Sequence, residues 1–235
     1  MKLLGRKFSK KEVITKIEGH TFLIYDTIVS YLVLDEIRTQ QLYRKFRGCK
    51  KILDVGGYLG ESAVYFNQIC WAQVDVYESD KRNFVYMEKN CKPYPDVHLF
   101  HGAVVAGEKT YRITYDQDDR GTVGEKGEES LPTFDFFKII SETSYDGIKI
   151  DIEGREYEIM DSIVESWVQL DAKILFFEFH ELENLENTQK LFQYIRYFID
   201  QWYLFEVFDN DDNLVQLTEA LSWKISLVNF LFLRS

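Results

Sequence analysis

The chain has 235 residues, enough for one domain with a full core. Hydrophobic residues at 46% and aromatics at 16%, with only 3 prolines, argue against disorder over most of the length. A net charge of −11 argues against a general nucleic-acid binder, because phosphate contacts need clustered Lys and Arg. The N-terminal cluster of Lys2, Arg6, Lys7, Lys10 and Lys11 reads as a solvated end. Cys49, Cys70 and Cys91 have no metal-ligand spacing and read as buried reduced thiols. With no secretory signal pattern and no apolar run long enough to cross a bilayer, a soluble cytoplasmic protein is expected.

In chain order, Val13, Thr15 and Ile17 alternate with polar positions, Gly19-His20 breaks the run, and Thr21–Tyr25 resumes it. This predicts a β-hairpin packed on one end of a main sheet. Asp35–Phe46 carries Ile37, Leu42 and Phe46 at helical spacing and is stopped by Gly48. Residues 1–48 thus read as a small β/α extension, and residues 49–235 as the principal domain.

Lys51-Ile-Leu-Asp-Val-Gly-Gly-Tyr-Leu-Gly60 is a short apolar strand that ends in glycines, followed by helix-compatible Glu61-Ser-Ala-Val-Tyr-Phe66. Glycines there let backbone approach a ligand, and the helix start offers free N–H groups to an anion. Gly56, Gly57 and Gly60 cannot be laid on the Gly-x-Gly-x-x-Gly spacing of a nicotinamide or flavin site. The pattern Asp54-x-Gly56-x-x-x-Gly60 instead resembles the first motif of class I S-adenosylmethionine (SAM)-dependent methyltransferases. A ribose needs a second acid at the end of the next strand, about 20 residues on. Val74-Asp-Val-Tyr-Glu78 supplies it.

Ser79–Asn90 opens with capping residues and continues as a helix that Pro93 and Pro95 close. Val97–His101 is a third strand, after which Gly102-Ala103 offers small residues beside an adenine ring. Tyr111–Tyr115 reads as a strand, Asp116–Ser130 as a long polar loop, and Thr133–Ser141 as a helix. In Ile148-Lys-Ile-Asp-Ile-Glu153 a period of two puts Lys149, Asp151 and Glu153 on one side. Buried charges need partners or a ligand, and a Lys149–Asp151 ion pair accounts for two of them. After a helix over Glu156–Leu170, Ala172–His180 forms another strand presenting Glu178 and His180. In open α/β sheets the crevice lies beyond the carboxyl ends of the strands, so these groups should converge with Asp54 and Glu78. A helix over Glu183–Trp202 and strands at Tyr203–Val207, Leu214–Leu217 and Lys224–Leu233 complete the chain. The order predicts a doubly wound α/β fold: a mostly parallel seven-stranded sheet with an antiparallel C-terminal hairpin at its edge.

Lys149-Ile-Asp-Ile-Glu-Gly-Arg-Glu156 resembles the Lys-x-Asp-x-Glu-Gly-x-Glu segment of the FkbM family of methyltransferases. Asp54–Gly60, Val76-Tyr-Glu78, Asn90, Gly102-Ala103 and Phe177-Glu-Phe-His180 fall in that family's order, over residues 50–182. The family pattern has proline where this chain has Ser79, and Leu-Asp-Asp where it has Phe134-Asp-Phe. The resemblance implies SAM-dependent O-methylation of a sugar or other small polar acceptor. Cofactor contacts are then expected at Asp54, Gly56, Gly57, Tyr58, Gly60, Glu61, Glu78, Ser79, Gly102 and Ala103. For catalysis the candidates are Asp151 or Glu153 as base, His180 as rival base oriented by Glu178, and Lys149 holding Asp151 ionised. A divalent metal among Asp151, Glu153 and Glu178 is a minority expectation. A nucleotide-dependent oxidoreductase and a non-catalytic partner module are the alternatives.

Overall fold

The computed structural model describes residues 11–17, 19–25, 27, 30, 31, 33, 34, 42–115, 121–124, 126, 127, 129–180, 184–208, 216 and 227–234. The strands of its central sheet are β3 (Lys51–Val55), β4 (Gln73–Glu78), β5 (Val97–His101), β11 (Gly147–Ile150), β12 (Ile174–His180), β13 (Tyr203–Phe208) and β14 (Leu227–Arg234). They lie in the order β13-β14-β12-β11-β3-β4-β5. All run parallel except β14, which is antiparallel to both of its neighbours. The late antiparallel pair is therefore present, but the last strand inserts between β12 and β13 instead of extending the edge. Register explains why: Phe230 and Phe232 meet Phe177 and Leu175 of β12 and are buried, as a central position requires.

Period-two alternation divides the strands between two helix layers. Ile52, Val74 and Val76 pack with Val64 and Phe66 of α1 (Glu61–Ile69) and Met87 of α2 (Lys81–Cys91). Leu53, Val55, Ile148 and Ile150 pack on the other face with Ile159, Met160 and Ile163 of α4 (Glu156–Glu165) and Tyr194 and Phe198 of α5 (Leu185–Asp200). Strand order reverses between β3 and β11, which is where such sheets open a crevice.

The N-terminal hairpin is β1 (Glu12–Ile17) and β2 (His20–Tyr25). It docks on α2 rather than on the end of the sheet. Asn90 makes the seam: its Oδ1 accepts from Leu23 N at 2.7 Å, and its Nδ2 donates to the carbonyls of Leu23 at 3.0 Å and Leu59 at 2.8 Å. Of the helix expected over Asp35–Phe46, Leu42–Phe46 is a 3-10 turn, and the rest lies outside the described residues.

The polar stretch read as a loop contains two strands. β7 (Tyr111–Tyr115) pairs on its two sides with β8 (Gly121–Gly124) and β9 (Glu129–Leu131). Backbone pairing to a buried β7 creates them without any apolar alternation of their own. Likewise β6 (Ala103–Val105) pairs in parallel with β10 (Thr133–Asp135), so the helix expected from Thr133 begins only at Phe136, as α3 (Phe136–Glu142). Asp135 caps it, accepting from Phe137 N at 3.1 Å. The expected strand at 214–217, the turn at 210–213 and the start of the last strand at 224–226 lie outside the described residues. Cys49, Cys70 and Cys91 are buried free thiols, and burial pushes Cys49 up to about 11.

Candidate active site

The carboxyl ends of β3, β4, β5, β11 and β12 bring most of the candidate residues together, but several do other work than the sequence suggests. Gly56 has φ 93°, and a Cβ there would stand 1.7 Å from the carbonyl oxygen of Asp151. At Gly57 a Cβ would meet Val76 Cγ2 at 2.3 Å, and at Gly60 it would meet Cys91 Sγ at 2.6 Å. The close approach these glycines permit is thus to the protein's own sheet and α2. Both Gly56 N and Gly57 N donate to the Tyr77 carbonyl at 3.0 Å, which folds the turn flat over β4.

Asp54 is fully buried. It accepts from Ser62 Oγ at 2.6 Å and faces Lys149 Nζ at 3.3 Å. It therefore ties the loop to β11, while its buried Oδ1 has no hydrogen-bond partner among the described residues beyond the ion pair to Lys149. Lys149, itself 2% exposed, also reaches Asp151 at 3.2 Å and the Gly56 carbonyl at 3.0 Å. Burial alone would pull Lys149 down, yet the carboxylates of Asp151, Asp54 and Glu178 together hold it above its ordinary value. It is a buried cation with two carboxylate partners, as the alternation requires.

Along β4 and its loop, Glu78 is buried at 7% exposure and accepts from Tyr58 N at 2.8 Å and Asp80 N at 2.7 Å. Each oxygen keeps lone-pair capacity for a hydroxyl. Glu61 folds back to accept from Leu59 N at 3.1 Å, while its buried Oε1 has no hydrogen-bond partner among the described residues. Burial pushes both carboxyls up to about 8. Ser79 is half-buried between Glu78 and Asp80, the residue that caps α2. On β5, opposite Glu78, the buried His101 Nε2 is likewise without a partner among the described residues, and its ring lies 5.0 Å from that of Phe84. The expectation for Gly102 and Ala103 is corrected. A Cβ on Gly102 would meet the Pro132 carbonyl at 2.5 Å and the Phe134 ring at 2.7 Å, and Ala103 N donates to Pro132. The small residues admit β10, not a purine on that side.

The third group belongs to β11, β12 and the turn into α4. Asp151, Glu178 and His180 bring one ligand atom each within 4.8 Å of one another. Glu153 departs from its expected place. The strand stops at Ile150, Glu153 adopts φ 55°, and its side chain is 76% exposed, although Oε2 still comes within 3.7 Å of His180 Nε2. His180 thus replaces Glu153 in the group expected for a metal. Glu156, named in the motif but assigned no role, organises the cluster. Fully buried, it accepts from Ile152 N at 2.7 Å and Gly154 N at 3.0 Å, and it meets His180 Nδ1 at 3.2 Å. Burial works against a charged His180, but the hydrogen bond and charge of Glu156, with Asp151 and Glu178, push it up to about 10. That shift favours the imidazolium at neutral pH and weighs against His180 as the rival base. The same proton occupies the position a metal would need. The sequence signal for Glu156 was a carboxylate on the first turn of a helix, where N–H groups are free.

A second opening, about 290 Å³ and lined by Tyr145, Ile148, Leu170 and Ala172 among others, lies at the opposite, amino ends of β11 and β12. Asn229, buried on β14 beside Glu178, has an Oδ1 without a partner among the described residues; nothing in its apolar surroundings had marked it.

Solved structures share this architecture. TYW2 of M. jannaschii, in complex with AdoMet, matches with a TM-score of 0.54 at 11% identity, over 98% of this chain and 90% of that one. TYW2 of P. horikoshii, in complex with MeSAdo, matches with a TM-score of 0.52 at 12% identity, over 97% and 73%. The tRNA (uracil-54, C5)-methyltransferase of Pyrococcus abyssi, in complex with S-adenosyl-L-homocysteine, gives 0.51 at 10% identity, over 96% and 45%. The likeness is one of fold. No family model matches the chain, and no curated protein matches it.

Proposed function

We propose that the chain is a SAM-dependent methyltransferase that methylates a hydroxyl oxygen of a sugar or another small polar acceptor. One observation carries the cofactor: among the described residues the buried Glu61 Oε1, at the start of α1, and His101 Nε2, opposite Glu78 on β5, have no hydrogen-bond partner. A molecule with an ammonium group, a ribose diol and a heteroaromatic base would satisfy all three in turn. The ligands of the solved proteins that share the fold have that composition. Oxygen as the accepting atom rests on the Lys149–Glu156 segment and its resemblance to the FkbM family. In this reading residues 1–48 are an accessory extension, and residues 49–235 the catalytic domain.

When bound, the cofactor supplies an electrophilic methyl group on a sulfonium. An acceptor hydroxyl held in line with that methyl group would lose its proton to Asp151. Lys149 fixes Asp151 in place from the buried side, while the charged His180 turns Nε2–H towards Glu178 and Glu153 and orients neighbouring acceptor oxygens. No step needs a metal.

Calorimetry with SAM and its demethylated product tests the cofactor. We expect binding by the wild-type chain and affinity at least roughly tenfold weaker in Glu78→Ala, which removes the hydrogen-bonding group opposite the ribose diol. Equal affinity in both proteins, or tighter binding of NAD than of SAM, would remove the assignment.

A further inference from the structure

Five buried side-chain oxygens or nitrogens among the described residues have no hydrogen-bond partner: Asp54 Oδ1, Glu61 Oε1, His101 Nε2, Gln201 Oε1 and Asn229 Oδ1. Asp54 Oδ1 faces the Lys149 ammonium, and Glu61 and His101 belong to the cofactor half of the crevice. Gln201 lies at the amino end of the sheet, just before β13. Asn229 alone of the five stands in the other half of the crevice, beside the groups assigned to the acceptor. A buried amide oxygen left unpaired costs stability, and a hydrogen-bond donor from outside the chain would recover it.

Strand register places the Asn229 side chain. Asn229 on β14 is directly opposite Glu178 on β12. Opposed residues of an antiparallel pair share one face, with Cβ atoms about 5 Å apart. On β11, Ile150 pairs with Phe177, so Asp151 comes level with Glu178, and their carboxylates approach within 4.8 Å. Asp151, Glu178 and Asn229 thus form a row across three neighbouring strands, with Asn229 two strand spacings, about 10 Å, from Asp151. Burial deepens along the row: the side chains of Asp151 and Glu178 are 27% and 14% exposed, and Asn229 is 1% exposed. Phe208 of β13, opposite Asn229 and itself buried, closes the deep end.

The chemistry of the row narrows what enters it. Two carboxylates and an unpaired amide oxygen all accept hydrogen bonds, so the entering molecule must donate them. The neighbouring cations already face five carboxylates: Lys149 meets Asp54 and Asp151, and His180 meets Glu153, Glu156 and Glu178. Neither is left for a phosphate or carboxylate on the acceptor. At the deep end the amide is neutral, and burying an ammonium against it would cost far more than burying a hydroxyl. A neutral molecule with hydroxyls on opposite sides of a sugar-sized ring suits both ends.

Resting on the methyl-transfer reading above, we propose that Asn229 selects the acceptor. Its Oδ1 accepts a hydrogen bond from a second hydroxyl while the first lies at Asp151, and the acceptor is a neutral, unphosphorylated polyol. Asn229 binds away from the reacting atoms and takes no part in the proton transfer.

Thermal melts of the full chain test this in two arms. Without ligand, at least one of Asn229→Leu and Asn229→Val, which lack the unpaired oxygen, should melt no lower than the wild type and up to about 4 °C higher. A lower temperature in both would mean that the amide is already satisfied within the chain, and overturns the proposal. In the second arm the protein is saturated with S-adenosyl-L-homocysteine and given the methyl glycosides of glucose, galactose and mannose, with glucosamine and glucose 6-phosphate beside them. At least one neutral glycoside should raise the wild-type melting temperature more than either charged sugar does. The variants should need roughly tenfold more of it for the same shift. Stabilisation by S-adenosyl-L-homocysteine but by no neutral glycoside, or more by a charged sugar, or equal glycoside shifts in wild type and variants, overturns the proposal and leaves the methyl-transfer reading standing. No stabilisation by S-adenosyl-L-homocysteine strikes that reading, and this one with it.

Discussion

Asp151 and His180 compete for the acceptor's proton, and their surroundings decide between them. His180 is held by Glu156, whose carboxylate has no solvent exposure and two backbone N–H groups of its own. An imidazole pushed up to about 10 has no free lone pair at neutral pH. Asp151 is half-buried, and its ion pair among the described residues is with Lys149. Asp151→Asn is therefore expected to bind SAM like the wild type and to lose about a hundredfold or more in single-turnover rate. Unchanged turnover would reject it as the base. Should EDTA abolish turnover and Mg²⁺ restore it, the Asp151, Glu178 and His180 cluster would instead hold a cation after losing the His180 proton; we expect activity to survive the chelator.

Among the elements, the loop from β3 to α1 shows what glycine spacing means physically. Gly56 and Gly107 both have positive φ, 93° and 79°, but a Cβ at Gly107 would meet nothing within 4 Å, whereas at Gly56 it would overlap the Asp151 carbonyl. Gly107→Ala should cost about 1 kcal/mol from backbone strain alone, and Gly56→Ala more than about 3 kcal/mol, because two strand ends must part. Thermal melts of the two variants measure the difference; equal melting temperatures would contradict the packing described. Sequence periodicity made β3 and β12 legible, because strands buried on both faces carry nearly continuous apolar runs, and β4 and β5 through apolar residues alternating with Asp75 and His98. It placed Asp151, Glu178 and His180 near one another for the same reason. It missed β8 and β9, whose Gly-Thr-Val-Gly and Glu-Ser-Leu have no pattern and exist as strands only through pairing with β7. It gave no sign of the Pro132 and Phe134 contacts that close over Gly102, since a strand end announces where a side chain starts and not which partner reaches it first.

Over the whole molecule, acids crowd one end of the sheet, and this sets how stability responds to pH. Glu61 and Glu78 rise to about 8 by burial, so between their ordinary value of 4.5 and pH 8 the folded chain keeps protons that the unfolded chain has lost. Stability falls with rising pH wherever that holds. His180 acts in the same direction in a higher window: its contribution is complete below 6.5 and is lost as pH rises through about 10. At the acid limit the order reverses. Asp75, with Tyr145, Lys51 and His98 outweighing its burial, and Asp146, paired with Lys173, are both held below their ordinary value, and their contribution disappears as pH falls below 3.8. Maximum stability is thus expected near pH 5, with a decline through neutrality to pH 10. Denaturant titrations across that range check the shape. Glu61→Gln should flatten the part between pH 5 and 8, and His180→Gln the part above 7. A wild-type curve that climbs from pH 6 to 9 would mean that these groups are far better solvated than their burial implies.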